Sequence, residues 1–295
     1  MAGLITSDFN IPNEISTGIF EKAQKGSTLA QLCGARPQKF GKQQVWVLTA
    51  PPKAEIVGEA QEKSPTSATY TSKTITPSKL QVTMRFSQEV MWADEDVQIG
   101  VLQDLANNAG IALGRALDLV GIHKINPLTG TVSSLVTEGL IDTTQSVIAT
   151  EKWDESIEAA AGVIINAGYT PNGIAMDPTL AFNLSTMRDN EGRKIYSDIG
   201  FGQNLTNFLG MTAAVSDTVS AKNEIAEASN LLGIVGQFDA FRWGVQREIS
   251  AHLIEYGDPD GLGDLQRQNQ LAIRAEIVYG MGILDNTAFV KITSK

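Results

Sequence analysis

The sequence predicts an α+β protein in two packed parts, with one long segment projecting from them. Three stretches carry that expectation. Leu80, Val82, Met84 and Phe86 alternate strictly with Lys79, Gln81, Thr83 and Arg85, the period of a strand with one face on a core and one in water. Val97, Val101, Leu105, Ala109, Ala112, Ala116 and Val120 recur at steps of three and four, the period of an amphipathic helix. Ahead of both, 8 of the 13 residues from Thr66 to Ser78 are Ser or Thr, which favours extended chain and leaves little to bury.

Taken in order, residues 1–13 read as a loose arm ending in Ile11-Pro12-Asn13. Ile15, Ile19 and Ala23 then share one helix face, and Gly26 suits the position just past a helix end. Ser27 opens a second short helical piece that runs to Cys33. Gln44 to Leu48 is a strand, and Leu80 to Phe86 is its return. The excursion between them is long for a compact domain, and such segments usually have a use. We read it as a β-ribbon whose partner lies on another subunit, against the plainer reading of a surface loop.

Asp94-Glu95-Asp96 puts carboxylates where a helix N-terminus favours negative charge. The helix that follows is about 27 residues and on the order of 40 Å long. Gly121 is its expected stop, ahead of His123 and Lys124. Loop residues follow to 149. Trp153, Ile157, Ala160, Ala161 and Ile164 then form a second amphipathic helix closed by Asn166-Ala167-Gly168. Gly173 to Met176 is a short buried strand, and Asp177 and Pro178 cap and start the next helix. Arg188 to Arg193 is a polar turn, Met211 to Val215 a strand, and 216–230 a polar loop. Leu231 to Gly236 is a buried strand; Val245 to Leu253 and Leu271 to Tyr279 are alternating strands joined through the loop Asp258 to Gly263.

Charge and chemistry narrow the function. Lys and Arg number 23 against 33 Asp and Glu, a net charge of −10, which argues against a dedicated nucleic-acid binder. Cys33 is the single cysteine, so neither an internal disulfide nor a cysteine zinc site can form. No apolar run approaches a membrane span, and the first residues lack the pattern of a signal peptide, so the expectation is a soluble product of the cytoplasm. Gly200-Phe201-Gly202 and Gly280-Met281-Gly282 lack the rest of a phosphate-binding loop. Asp258, Asp260 and Asp264 make an acidic loop, but Gly261 stands fourth and Asn269 twelfth, where a calcium loop needs Gly sixth and Glu twelfth. Cys33 reads as a buried structural thiol, and His123 and His252 share no metal spacing. The expectation is a protein with no catalytic, cofactor-binding or metal residues, completed by its neighbours rather than by a substrate.

The order of short motifs resembles the major capsid proteins of tailed bacteriophages, the Hong Kong 97-like fold. The motifs are Ile11-Pro12-Asn13-Glu14-Ile15; Ile56-Val57-Gly58-Glu59-Ala60; Leu80 to Phe86 with Ser87-Gln88-Glu89-Val90; and Ala175-Met176-Asp177-Pro178-Thr179 with Arg188 to Arg193. Phe208-Leu209-Gly210-Met211 to Ser216-Asp217 follows, with Thr212 where the family usually has proline. Asn269 to Glu276 and Leu284 to Lys291 match the terminal block. Each is weak alone; six in the right order are specific.

The resemblance implies an N-terminal arm with short helices (1–43), an extended β-ribbon loop (44–86) and a peripheral domain with a long spine helix (87–124). An axial domain (125–235) follows, then peripheral strands (236–280) and a C-terminal return to the axial domain (281–295). It implies a non-enzymatic shell protein that self-assembles as pentamers and hexamers around double-stranded DNA, in a virion built in the bacterial cytoplasm. The implied partners are further copies of itself, a portal protein, the packaged DNA touched non-specifically, and scaffolding and decoration proteins in some cases. The long charged segment that precedes the arm in some members is missing ahead of Met1, so scaffolding is expected from a separate protein or not at all. Some members also weld subunits through a Lys–Asn isopeptide bond assisted by a Glu. Asn269 and Glu276 occupy similar positions, and Lys53 and Lys63 lie in the extended loop. Read on their own, Asn269 caps a strand and Glu276 pairs with a basic neighbour. An encapsulin-like nanocompartment shell holding a cargo enzyme is the alternative the same fold allows. Removal of residues 50–78 is expected to leave a folded subunit that does not assemble.

Overall fold

The computed structural model describes residues 26–50, 52–92, 95–196, 199, 205–225 and 229–295. The N-terminal arm with its Ile11 to Ile15 motif, the helical period at Ile15, Ile19 and Ala23, Asp94, and Gly200-Phe201-Gly202 fall outside these residues.

In chain order, helix α1 (Thr28–Leu32) leads to strands β1 (Gln43–Ala50) and β2 (Thr69–Ser87) and to the long helix α2 (Glu95–Asp118). A small hairpin, β3 (Ile125–Asn126) and β4 (Thr131–Val132), precedes β5 (Ser146–Ile148). Helix α3 (Trp153–Asn166), β6 (Gly173–Met176) and α4 (Pro178–Thr186) come next, then β7 (Asn207–Phe208), β8 (Met211–Val215) and β9 (Leu231–Gly236). The chain closes with β10 (Phe241–Ile254), β11 (Gln270–Ile283) and β12 (Phe289–Thr293).

Two sheets organise these elements. The first is antiparallel, in the order β1-β2-β11-β10. The second is mixed, in the order β5-β12-β9-β6-β8-β7, with β6–β8 and β12–β5 parallel. Helix α2 packs across β2 and β11. Leu113 and Leu117 from α2, Leu29 and Cys33 from the N-terminal piece, and Trp243 and Tyr279 from β10 and β11 fill the core between them. Trp243 and Tyr279 meet edge to face, their ring centroids 6.0 Å apart. Burying aromatic side chains of this size contributes on the order of 2 to 3 kcal/mol each. The second sheet has a core on each face. Ala175, Ile234 and Phe289 join the core of α2, whereas Ile174, Val235 and Ile292 pack with Ile157 and Ile164 of α3 and Leu180 of α4. That double burial is why β9 reads as an unbroken apolar run rather than an alternating one.

Helix ends follow local chemistry. Ser27 accepts from Ala30 N and caps α1; Asp177 accepts from Thr179 N and caps α4, with Pro178 in the first turn. Two expectations change. Gly121 does not stop the long helix. The helix loosens into one π turn over Leu119–His123 and ends at Lys124, which is left-handed at φ 58°. Gly121 is instead a packing residue, because a methyl group there would come within 2.6 Å of Leu29 Cδ1. The polar loop after 216 is also not a solvent loop: Thr218, Val219, Ser220 and Ala221 are fully buried. Their burial follows from the long helix's end, where Asp118 accepts from the Thr218 hydroxyl and His123 Nε2 donates to Val219 O.

Candidate functional site

Strand β2 changes partners along its length. Thr69 to Ile75 pair with β1, and Thr76 to Ser87 pair with β11. The β1–β2 hairpin therefore leaves the sheet as a two-stranded ribbon with no third strand beside it among the described residues, a form that is marginal in water by itself. Its register places Leu48 opposite Tyr70 and Trp46 opposite Ser72, so Trp46, Leu48 and Tyr70 share one face. That face is open: Trp46 is 67% and Tyr70 56% exposed. Beyond it the tip, residues 52–68, has no strand pairing; Ser64 N and Oγ donate to the Glu55 carboxylate at 3.2 and 3.1 Å, and Gln61 N donates to Gly58 O at 3.2 Å. Ile56 in the tip is fully exposed.

The ribbon's root is fixed. Ile75 is buried, and Lys73 Nζ lies 3.3 Å from Glu138 Oε1. The Ser/Thr-rich run is expected to offer almost nothing to bury; Ile75, where the ribbon meets the sheet, is its one fully buried residue.

The cross-link candidates divide between two places. Lys53 and Lys63 sit in the exposed tip, whereas Asn269 and Glu276 sit at and in β11. Asn269 adopts a left-handed φ of 52° at the start of the strand, and its carbonyl accepts from Gln88 N at 2.9 Å. Glu276 lies 2.8 Å from Lys79 Nζ on the neighbouring strand, and that ammonium holds its carboxyl below the usual range. A carboxylate held this way is a weaker proton acceptor, so Glu276 is better suited to pairing strands than to acting as a base.

The acidic loop between β10 and β11 is organised by a cation that the sequence did not flag. Arg85 donates to Asp258, Asp260, Gln268, Gln270 and the carbonyl of Gly263. The Arg85 guanidinium holds Asp260 below the usual carboxylate range. The signal was present, since Arg85 occupies a polar slot of the alternating strand, but only the sheet register brings it beside the loop. Cys33 is buried with its thiol pushed up to about 12, chiefly by burial, which leaves no nucleophile at neutral pH. Burial likewise lowers His123. Among the described residues, no group of His, Cys, Asp and Glu could hold a metal ion, and no helix is long and apolar enough to cross a membrane.

Among the described residues, Asp118 is the most deeply buried acidic side chain. It accepts from Ser27 Oγ, Thr28 N and Oγ1, Leu29 N and Thr218 Oγ1, so one carboxylate ties together α1, the end of α2 and the 216–220 loop. Burial pushes its carboxyl above the ordinary value, and the five donors oppose that rise.

Known proteins resemble this chain along most of its length. A model of the "Phage capsid family" matches residues 8–294. The probable major capsid protein gp17 of Mycobacterium phage D29 is 22% identical over 285 residues, covering 93% of this chain and 87% of that protein. A solved chain from Mycobacterium phage Ogopogo superimposes with a TM-score of 0.81 at 50% identity, covering 91% of this chain and 92% of that one. A solved chain from Gordonia phage Cozz does so with a TM-score of 0.80 at 31% identity, covering 91% and 86%.

Proposed function

Because the chain belongs to the phage capsid family, we propose that it is the subunit that builds the head of a tailed phage, closing as pentamers and hexamers around double-stranded DNA. The family match over nearly the whole chain carries the reading of a phage major capsid protein, a structural component of the virion. The self-association rests on the ribbon. A two-stranded projection with Trp46, Leu48 and Tyr70 bare on one face is incomplete in an isolated subunit and is completed by a second copy. In this reading β1, β2 and the tip form the extended loop, α2 is the spine of a peripheral domain with β10 and β11, and the mixed sheet with α3 and α4 is the axial domain. The further partners in this reading are a portal protein and any separate scaffolding or decoration protein, and assembly takes place in the host cytoplasm. Net charge of −10 suits a wall that encloses DNA without gripping it.

Negative-stain microscopy and sedimentation velocity on the full-length protein expressed alone test this. Closed shells, or capsomers of five and six, are the expected result. A chain that stays monomeric at high concentration, and also when co-expressed with the scaffolding protein of its genome, overturns it. Trp46→Ser combined with Tyr70→Ser is expected to retain the fold and block assembly; normal shells from that variant would remove the ribbon face from the contact.

A further inference from the structure

We infer that Gly244 and Gly280 form a built slot that seats residues 33–40 across the first sheet, and that this seated strap fixes where the ribbon leaves the molecule. The inference rests on the capsid reading only for its consequence in assembly; the slot itself is read from geometry.

Gly244 on β10 and Gly280 on β11 stand directly opposite each other. Their neighbours Trp243, Tyr279 and Met281 point into the core, so the two glycines face the other side of the sheet. Both are buried all the same, because the strap lies on them. A methyl group on Gly244 would overlap the carbonyl of Arg36, and one on Gly280 would overlap the side-chain amide of Gln38. Neither glycine has a positive φ, so close approach rather than backbone conformation is what requires them.

The strap is bonded as well as packed. Trp243 Nε1 donates to Cys33 O at 2.8 Å, and Arg36 N donates to Trp243 O at 2.9 Å. Gln38 Nε2 donates to Gly280 O at 3.0 Å, and Gln246 Nε2 donates to Lys39 O at 2.8 Å. Three of these ties are to β10 and the one from Gln38 is to β11; the chain then reaches β1, whose Gln43 pairs with Ile75 of β2. The strap is thus the crossing that carries the chain from α1 to the ribbon. Lifting residues 34–40 would free the base of β1 while leaving Cys33 and the core of α2, β10 and β11 in place.

The two glycines make different predictions, because one faces backbone and the other the end of a flexible side chain. Gly244→Ala forces the strap off the sheet. Exchange of the Arg36 amide, whose N–H donates to Trp243 O, read by mass spectrometry on overlapping peptides of the full-length protein, is expected to speed up by about 10-fold or more, with β10 and β11 still protected. Gly280→Ala only swings Gln38 aside, so exchange rises by less than about 3-fold, and Gln38→Ala with Gly280→Ala behaves like Gln38→Ala alone. Wild-type protection of the Arg36 amide in Gly244→Ala, or a Gly280→Ala defect as large and not relieved by Gln38→Ala, overturns the slot. Should Gly244→Ala fail to fold, Gln38→Ala with Gln246→Ala removes two of the ties from a partly exposed surface and is read the same way. Particle yield tests the coupling separately. A loosened strap that still closes shells in wild-type yield overturns the link to the ribbon and leaves the capsid reading standing.

Discussion

Asp118 Oδ1 accepts a 2.5 Å hydrogen bond from the hydroxyl of Ser27, 91 positions earlier in the chain. The last residue of α2 before the π turn thereby caps the N-terminal piece, and the same carboxylate holds Thr218 at 2.8 Å. Removing it strands several buried donors at once. Asp118→Ala is expected to cost about 3 kcal/mol or more, and Ser27→Ala about 1 kcal/mol, in guanidinium unfolding of the subunit. A cost below about 1 kcal/mol for Asp118→Ala would mean that water replaces the carboxylate without loss.

The subunit should lose stability in acid through Asp217. Arg115 Nη1 and Nη2 lie 2.7 and 3.0 Å from its two carboxylate oxygens and hold its pKa below the ordinary value, and Arg115 also pairs with Glu224. A carboxylate depressed in the folded state contributes stability above its unfolded pKa, near 3.9, and that contribution is lost as pH falls through the folded value. The thermal midpoint is expected to fall as pH drops below about 4, and Asp217→Asn should flatten that fall. An unchanged slope in the variant would assign the acid sensitivity to other carboxylates.

The ribbon can be shortened without touching the core. Ala50 pairs with Thr69, so replacing residues 51–68 with Asn-Gly closes a tight hairpin and keeps Ile75 in place. Removing 50–78, the cut suggested by composition, also takes away buried Ile75 and would confuse folding with assembly. The shortened chain is expected to keep its thermal midpoint and to form no closed shells. Shells from this variant would show that the tip is dispensable.

Glu276 is paired with Lys79, so we expect particles dissolved in detergent to run as one band at monomer mass. A ladder, with a loss of one ammonia per added subunit by intact mass, would instead assign Asn269 and one of Lys53 and Lys63 to a covalent bond.

Cys33 should not react with a disulfide reagent at pH 8 in the native protein and should react fully in denaturant, since burial pushes its thiol up to about 12. Rapid native labelling would mean that the α1 region opens readily.

Elements whose signal is local were legible from the residues. The Asp177-Pro178 helix start, the alternating return strand and the amphipathic α3 each carry their cause within a few positions. Features set by distant partners were not. Gly121 looks like a helix stop until Leu29 is seen against it, and Ser216 to Ser220 look solvated until Asp118 is placed among them. Arg85 is one more polar strand residue until β11 brings the 258–264 loop beside it. The ribbon's apolar face was only half visible: the Ser/Thr run marked the ribbon, but the pairing of Leu48 with Tyr70 decides which side is apolar.

The register of the first sheet also sets the timing of folding during synthesis. Strand β2 needs Gln270 to Met281 as its neighbour, and the strap needs Trp243, Gln246 and Gly280. Those residues leave the ribosome roughly 200 positions after the segments that wait for them, and contacts of such long range form slowly. The half-made chain therefore carries its ribbon without a base to hold it. A chain cut short before Gln270 lacks the strand on which its ribbon is rooted.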